Sequence, residues 1–153
     1  MAADEVAEFA ATIDHPQLRD LFREWVGLRG ERPMPSRIDI DPTRVPRLLP
    51  NLIINEVTGD PPRFRIRLEG EAITAARGFS GRGRFIDEEG MLVLRDDAIA
   101  VYRRIVADWR PAYTKGSFGR LEARWGQLYR LALPLSDDGR RVDHLLVGFY
   151  HEI

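Results

Sequence analysis

Asp143-His144, with Tyr102, is the set of residues best suited to proton transfer, since an imidazole beside a carboxylate is a usual general acid–base pair. The spacing argues against that use. The two residues are consecutive in a strand-like run, where neighbouring side chains point to opposite faces, so Asp143 is not expected to orient the ring. His15, His144 and His151 are the only histidines, and they offer no metal-ligand spacing beyond a loose His144/His151 pair. The absence of cysteine removes thiolate zinc, iron–sulfur clusters, disulfides and a cysteine nucleophile. No metal, no cofactor and no catalytic residue is expected, and the chain is read as a non-enzyme. An enzyme with a cone-like α+β fold, using Asp143, His144 and Tyr102, is the least favoured alternative.

Two other groups of residues suggest binding. The run Gly78-Phe79-Ser80-Gly81-Arg82-Gly83-Arg84 is rich in glycine and cation, but it lacks the Gly-Lys-Ser/Thr ending of a phosphate loop and does not directly follow a strand. Its glycines read as tight turns. Arginine supplies paired donors for a carboxylate or phosphate. Arg37 reads as a partner of Asp39 or Asp41 within a proline-rich connector; Arg65 and Arg67 alternate outward on a strand, and Arg67 is kept both as a ligand contact and as a solvated charge.

The 153 residues fit one domain, and 44% apolar with 31% charged residues is a globular balance. With 23 basic and 24 acidic residues the net charge is −1, which gives no reason to expect nucleic acid or an anionic membrane as partner. Lys115 is the single lysine, so almost every cation is a planar guanidinium. The first residues form neither a basic nor an apolar leader, and no apolar run approaches the roughly 20 residues that span a bilayer. A cytoplasmic location is expected.

The elements follow from periodicity. Residues His15 to Arg29 carry Leu18, Leu21, Phe22, Trp25, Val26 and Leu28 at helical spacing, with Asp14 as cap and Gly30 as terminator; Val6, Phe9, Ala10 and Ile13 continue a weaker helical pattern upstream. A connector punctuated by Pro33, Pro35, Pro42, Pro46 and Pro50 holds one short helix from Pro42 to about Leu48. Leu52 to Val57 and Arg63 to Leu68 make a hairpin, and Phe64, Ile66 and Leu68 share one face of it. Gly70 to Arg77 reads as a short helix and Met91 to Trp109 as a long one, with Leu94, Ala98, Val101, Tyr102, Ile105 and Trp109 on its stripe. Ala112 to Phe118, Gln127 to Leu135 and Val142 to His151 are the closing strands. Grouped strands with helices between them predict an α+β fold, an antiparallel five-stranded sheet with helices on one face and an extra N-terminal helix.

The segments Pro35-Ser36-Arg37-x-Asp39-x-Asp41-Pro42, Leu48-Leu49-Pro50 and Phe64-Arg65-x-Arg67-Leu68-x-Gly70, then Gly78 with Gly83-Arg84 and Leu133-Pro134-Leu135-Ser136-Asp137-Asp138-Gly139, resemble in order and spacing the single-domain PAS proteins of alphaproteobacteria. The resemblance covers nearly all of the chain from His15 onward. It implies a PAS fold, with residues 31–153 as the PAS-like domain and 1–30 as a helical extension that often packs between subunits. A flavin photosensor of this fold requires a cysteine, and a haem sensor usually a histidine from the long helix; neither is present.

The implied function is that of a stand-alone sensory or interaction module, acting through protein contacts and an output partner. A small apolar or amphipathic ligand is expected between sheet and long helix, lined by Phe64, Ile66, Arg67, Ile73, Tyr102, Ile105, Trp109, Tyr129 and Leu131. The same side chains also suit a filled core, which makes an adaptor without ligand the main alternative. Leu18, Leu21, Phe22 and Trp25 are expected either to cover their own sheet or to bury against a second copy, and a homodimer through this stripe is the favoured outcome.

Overall fold

The apolar period of 3.6 residues produces helices α1 (Ala3–Thr12) and α2 (Pro16–Arg29), followed by three short 3-10 turns (Arg37–Asp39, Pro42–Arg44 and Leu49–Asn51) in the proline-rich connector. Strands β1 (Leu52–Thr58) and β2 (Arg63–Glu69), helices α3 (Glu71–Arg77) and α4 (Arg95–Asp108), and strands β3 (Ala112–Leu121), β4 (Arg124–Leu135) and β5 (His144–Glu152) complete the chain. The structure is a computed structural model that describes residues 1–91, 95–121 and 124–152, with backbone alone for 95–97, 117–121 and 124–125. Leu94, part of the expected long-helix stripe, lies outside the described residues. Met91 and Trp109, the expected ends of that helix, both lie outside α4. Among the described residues no helix is long and apolar enough to cross a membrane.

All strand pairs are antiparallel, in the order β2-β1-β5-β4-β3. Register sorts the side chains between two faces. Leu52 and Ile54 stand opposite Gly148 and Leu146, which stand opposite Leu131 and Leu133; these form the outer face. Ile53, Asn55, Leu145, Val147, Phe149, Arg130 and Ala132 form the inner face. Tyr102 of α4 meets Phe64 of β2 edge-on, with ring centroids 5.4 Å apart, and α3 follows β2 through Gly70.

Helix α2 covers the outer face. A Cβ on Gly148 would lie 2.5 Å from Leu18 Cδ2 and 2.8 Å from Leu21 Cδ2, so the missing side chain lets the helix press onto the sheet. Trp25 Nε1 donates to the Pro134 carbonyl at 2.9 Å, and Phe9 of α1 meets the Phe22 ring at 4.9 Å. Leu18, Leu21, Phe22 and Trp25 are at most 2% exposed within one chain. Within one chain, then, the stripe covers its own sheet, the first of the two placements expected for it. Each of these side chains gains ~1.5–3 kcal/mol by burial in its own core, and offering them to a second copy would require α2 to leave the sheet.

Two local expectations also change. Asp14 does not cap α2. His15 occupies the N-cap without a side-chain cap bond, because the Asp14 carboxylate is taken by Tyr113 Oη (2.5 Å) and Lys115 Nζ (2.7 Å) from β3. Asp39 pairs with Arg32 at 2.9 Å and accepts from the Ser36 amide, while Arg37 donates to the Ile40 carbonyl.

The β2–α3 turn is sterically strict. A Cβ on Gly70 would overlap the carbonyl oxygens of Leu49 and Pro50, which belong to backbone and cannot swing aside. Gly70→Ala is therefore expected to destabilise the fold by ~3 kcal/mol and to lower Tm by roughly 6–12 °C. Calorimetry that returns the wild-type Tm would refute this account of the turn.

Candidate functional site

A cavity of about 280 Å³ opens on the inner side of the sheet. Ile53 of β1 and Phe149 of β5 form its floor, Ile73, Ala76 and Arg77 of α3 one wall, and Gly90 and Met91 the other. The floor follows from strand parity, since Ile53 and Phe149 lie on the inner face, and the wall from helical spacing, which puts Ile73, Ala76 and Arg77 on one side of α3.

A buried ion pair fixes that wall. Arg77 and Glu69 side chains are 8% and 1% exposed, and Arg77 Nη1 donates to Glu69 Oε1. Glu69 Oε2 accepts from Thr74 Oγ1 at 2.7 Å and from the Gly81 amide at 2.8 Å. Arg77 also donates to the Met91 carbonyl at 3.0 Å and the Phe79 carbonyl at 3.3 Å. Strand β2, helix α3, the loop 78–84 and the segment at Met91 thus meet at one charge pair, as its satisfied hydrogen bonds require for burial.

A second cavity, of about 350 Å³, lies between Ala100 and Val101 of α4 and the residues Thr114, Lys115 and Gly116 of β3 with Leu128 and Arg130 of β4. Arg130 is 4% exposed and its guanidinium carbon lies 5.4 Å from the Phe149 ring centroid. This contact joins the lining of the two cavities across the inner face.

The residues expected to line a ligand site separate into three groups. Ile73 is on the wall of the first cavity. Phe64, Ile66, Tyr102 and Ile105 are at most 1% exposed and fill the core, with no part in the described lining of either cavity. Burial pushes the Tyr102 phenol up from its ordinary pKa, and the Arg130 charge opposes this. Trp109 is half-buried just beyond α4 in left-handed backbone (φ 66°), its amide donating to the Ile105 carbonyl at 2.8 Å; it ends the helix and lines neither cavity.

Arg67, Tyr129 and Leu131 correct the expectation. Arg67 pairs with Glu56 at 3.1 Å and stays 47% exposed, a solvated pair of small energetic weight. Leu131 stands opposite Gly148 and Tyr129 opposite Tyr150, on the outer face beneath α2. Sequence reasoning missed Ile53, Ala76, Arg77, Met91 and Phe149, and also Glu69. The readable signal was Glu69 and Arg77 eight residues apart on either side of a glycine, charges placed where β2 and α3 bury their ends.

Asp143 and His144 correct a different expectation, that Asp143 would not orient the ring. His144 Nδ1 lies 2.7 Å from Asp143 Oδ1. Asp143 precedes the first residue of β5, so strand alternation does not govern it. With Asp137 these residues place carboxylate and imidazole atoms within 4.8 Å of one another. Those carboxylates serve the backbone, Asp143 accepting from the Asp137 amide (2.8 Å) and Asp137 from the Arg37 amide (3.1 Å), which ties the β4–β5 turn to the connector. His144 is in register with Glu56 and Leu135 on the outer face, away from both cavities.

On the same face, His15 is 7% exposed between the rings of Tyr129 and Tyr150, at centroid distances of 5.0 and 4.4 Å. Burial lowers its pKa from the ordinary 6.5, with the Glu152 and Asp14 charges pulling the other way. A lowered folded pKa means stability that is complete above about pH 6.5 and is lost as pH falls below it. Wild-type Tm is accordingly expected to fall more steeply than that of His15→Phe between about pH 7 and pH 5. Parallel profiles would show that His15 does not resist protonation.

Glu69→Ala leaves Arg77 charged and buried without its partner, and a loss of about 3–5 kcal/mol in denaturant unfolding is expected. A loss below about 1 kcal/mol, the range of an exposed pair, would remove the pair from its organising role.

Residues 13–149 match the family model described as a PAS domain. Among solved structures, the PAS domain from Bordetella pertussis BvgS is similar at 18% identity and a TM-score of 0.45, over 71% of this chain and 83% of that one. No curated protein matches.

Proposed function

The chain belongs to the PAS domain family, and we propose that it is a cytoplasmic regulator whose inner cavity takes up a small apolar or amphipathic molecule and whose protein contacts change with occupancy. The observation that carries this reading is the 280 Å³ cavity walled by Ile53, Ile73, Met91 and Phe149. Its volume is near the lower end of the ~300–1,000 Å³ usual for ligand pockets, which points to a small occupant. The donors of Arg77 are engaged by Glu69, Met91 and Phe79, so this cation shapes the wall while the contact surface offered is mainly apolar. An occupant that prefers one placement of α3 against Met91 shifts the population toward it, and the change passes to the loop 78–84 that shares the same ion pair.

The tightly packed Phe64, Ile66, Tyr102 and Ile105 favour a second reading, an adaptor that works without ligand. One substitution separates the two. Ala76 is exposed yet lines the cavity, so Ala76→Trp fills the space without disturbing the core. Native mass spectrometry of the wild type is expected to show a small adduct that is lost on denaturation and absent from Ala76→Trp. The variant is also expected to bind the apolar fluorophore anilinonaphthalene sulfonate about tenfold more weakly. A clean wild-type mass together with unchanged fluorophore binding would leave the adaptor.

A further inference from the structure

The outer skin of the cavity wall is the loop 78–84. Gly81 is packed so closely that a Cβ there would lie 2.7 Å from Arg77 Nη1 and 2.7 Å from Met91 Cε, both lining residues. Beyond it the chain closes the edge of β2: the Gly83 amide donates to the Ile66 carbonyl (2.7 Å), Ile66 to Arg84 (2.9 Å) and Ile86 to Phe64 (2.9 Å). Over Phe64 to Ile66 the backbone of the edge is thus occupied, so a partner meeting this stretch reads side chains.

Those side chains are an exposed aromatic and the arginines around it. Phe79 is 40% exposed, one of two large apolar side chains left so among the described residues. The guanidinium carbons of Arg84 and Arg77 lie 5.1 and 5.6 Å from its ring centroid. Arg65 reaches the Gly83 carbonyl through Nε at 3.0 Å and its guanidinium lies 5.6 Å from Phe85. Arg65, Arg82 and Arg84 have no carboxylate partner among the described residues, whereas Arg63 and Arg67 on the same strand pair with Asp87 and Glu56. In a chain of net charge −1 this is a local excess of positive charge beside an exposed phenyl ring.

We propose that this loop docks a short acidic segment of a partner protein, with Phe79 against an apolar side chain of the segment and Arg65, Arg82 and Arg84 meeting its carboxylates. The assignment rests on reading the chain as an interaction module, but not on the cavity being filled. Charge complementarity selects the partner, since the guanidinium groups of Arg84 and Arg65, held over Phe79 and Phe85, already have one apolar face covered and keep N–H edges for carboxylates, and Arg82 is exposed beside them. Exposed Glu88 and Glu89 come four and five residues after Arg84, and Glu88 folds back to accept from the Phe85 amide at 2.6 Å. That acidic border limits the patch to a short segment and opposes a long polyanion such as nucleic acid. Because Gly81 touches Arg77 and Met91, a partner seated here contacts the cavity wall at one remove.

The test is fluorescence anisotropy with the full chain and three probes: a short labelled peptide rich in Asp and Glu around a Leu-Phe pair, its Asn/Gln counterpart, and single-stranded oligothymidine of matching charge. The acidic peptide is expected to bind, more weakly as salt is added. Arg82→Glu with Arg84→Glu is expected to lose about tenfold or more in affinity, and Phe79→Ser about threefold or more, with unchanged thermal melts. The control is Arg140→Glu with Arg141→Glu, which makes the same change in net charge on the exposed β4–β5 turn and should leave affinity within about twofold. Equal loss in the control, tighter binding of oligothymidine, or no preference for the acidic peptide over its Asn/Gln counterpart would each overturn the assignment. None of those results touches the mass-spectrometric test of the cavity, so failure of the docking surface is distinguishable from failure of the sensory reading.

Discussion

The Glu69–Arg77 pair is the point on which the inner side of this protein depends. Burying two charges is unfavourable unless their remaining donors and acceptors are satisfied, and here they are satisfied from four directions: Thr74 of α3, the Gly81 amide, and the carbonyls of Phe79 and Met91. Such a pair is weak evidence for net stability, because a well-packed apolar pair of the same volume would often serve as well. Its effect is geometric. It fixes where α3 stands relative to β2 and where the chain turns toward α4, and the space left between those elements and the sheet is the cavity.

The sheet divides the molecule into two chemistries. On its outer face α2 lies on Leu52, Ile54 and Gly148, sealed by the Trp25–Pro134 hydrogen bond. At one end of that face sits a cluster of titratable side chains, with His15 between two tyrosines and Asp14 bridging to Tyr113 and Lys115. Hydrogen bonding to Lys115 first, then to Tyr113, holds the Asp14 carboxyl below its ordinary range, while burial and Asp14 push the Tyr113 phenol up. On the inner face the apolar lining of the first cavity collects around Ile53 and Phe149, and Arg130 lies against Phe149 beside the second cavity. The sheet thus keeps the docking of the N-terminal helices, with its titratable cluster at one end, apart from the side that holds the cavities.

This separation explains why no single helix stripe or strand identified the site. Ile73 was the one expected lining residue found on the wall of the first cavity. Asn55, 1% exposed with its side-chain oxygen unpartnered, sits on the same inner face as Ile53 and shows that this interior still contains polar groups outside any ladder. The loop 78–84, read from its glycines as a simple turn, is the contact between that interior and an exposed cationic surface.

The sequence by itself determined the element order, the antiparallel hairpins, the α+β class and the absence of thiol chemistry, because periodicity, turn residues and residue type act locally. Helix α3 and the hairpin from Leu52 were legible within a residue or two for that reason. Only the tertiary structure decided which face of each strand meets which helix. Leu145, Leu146 and Val147 are buried alike, so hydrophobicity carries no information about side, and Tyr129 and Leu131 could be placed beneath α2 only through their register with Tyr150 and Gly148. The Glu69–Arg77 pair and the Asp143–His144 contact were hidden for a related reason. Each forms where a strand ends or begins, and the direction a side chain takes there is set by the surrounding chain once it has packed.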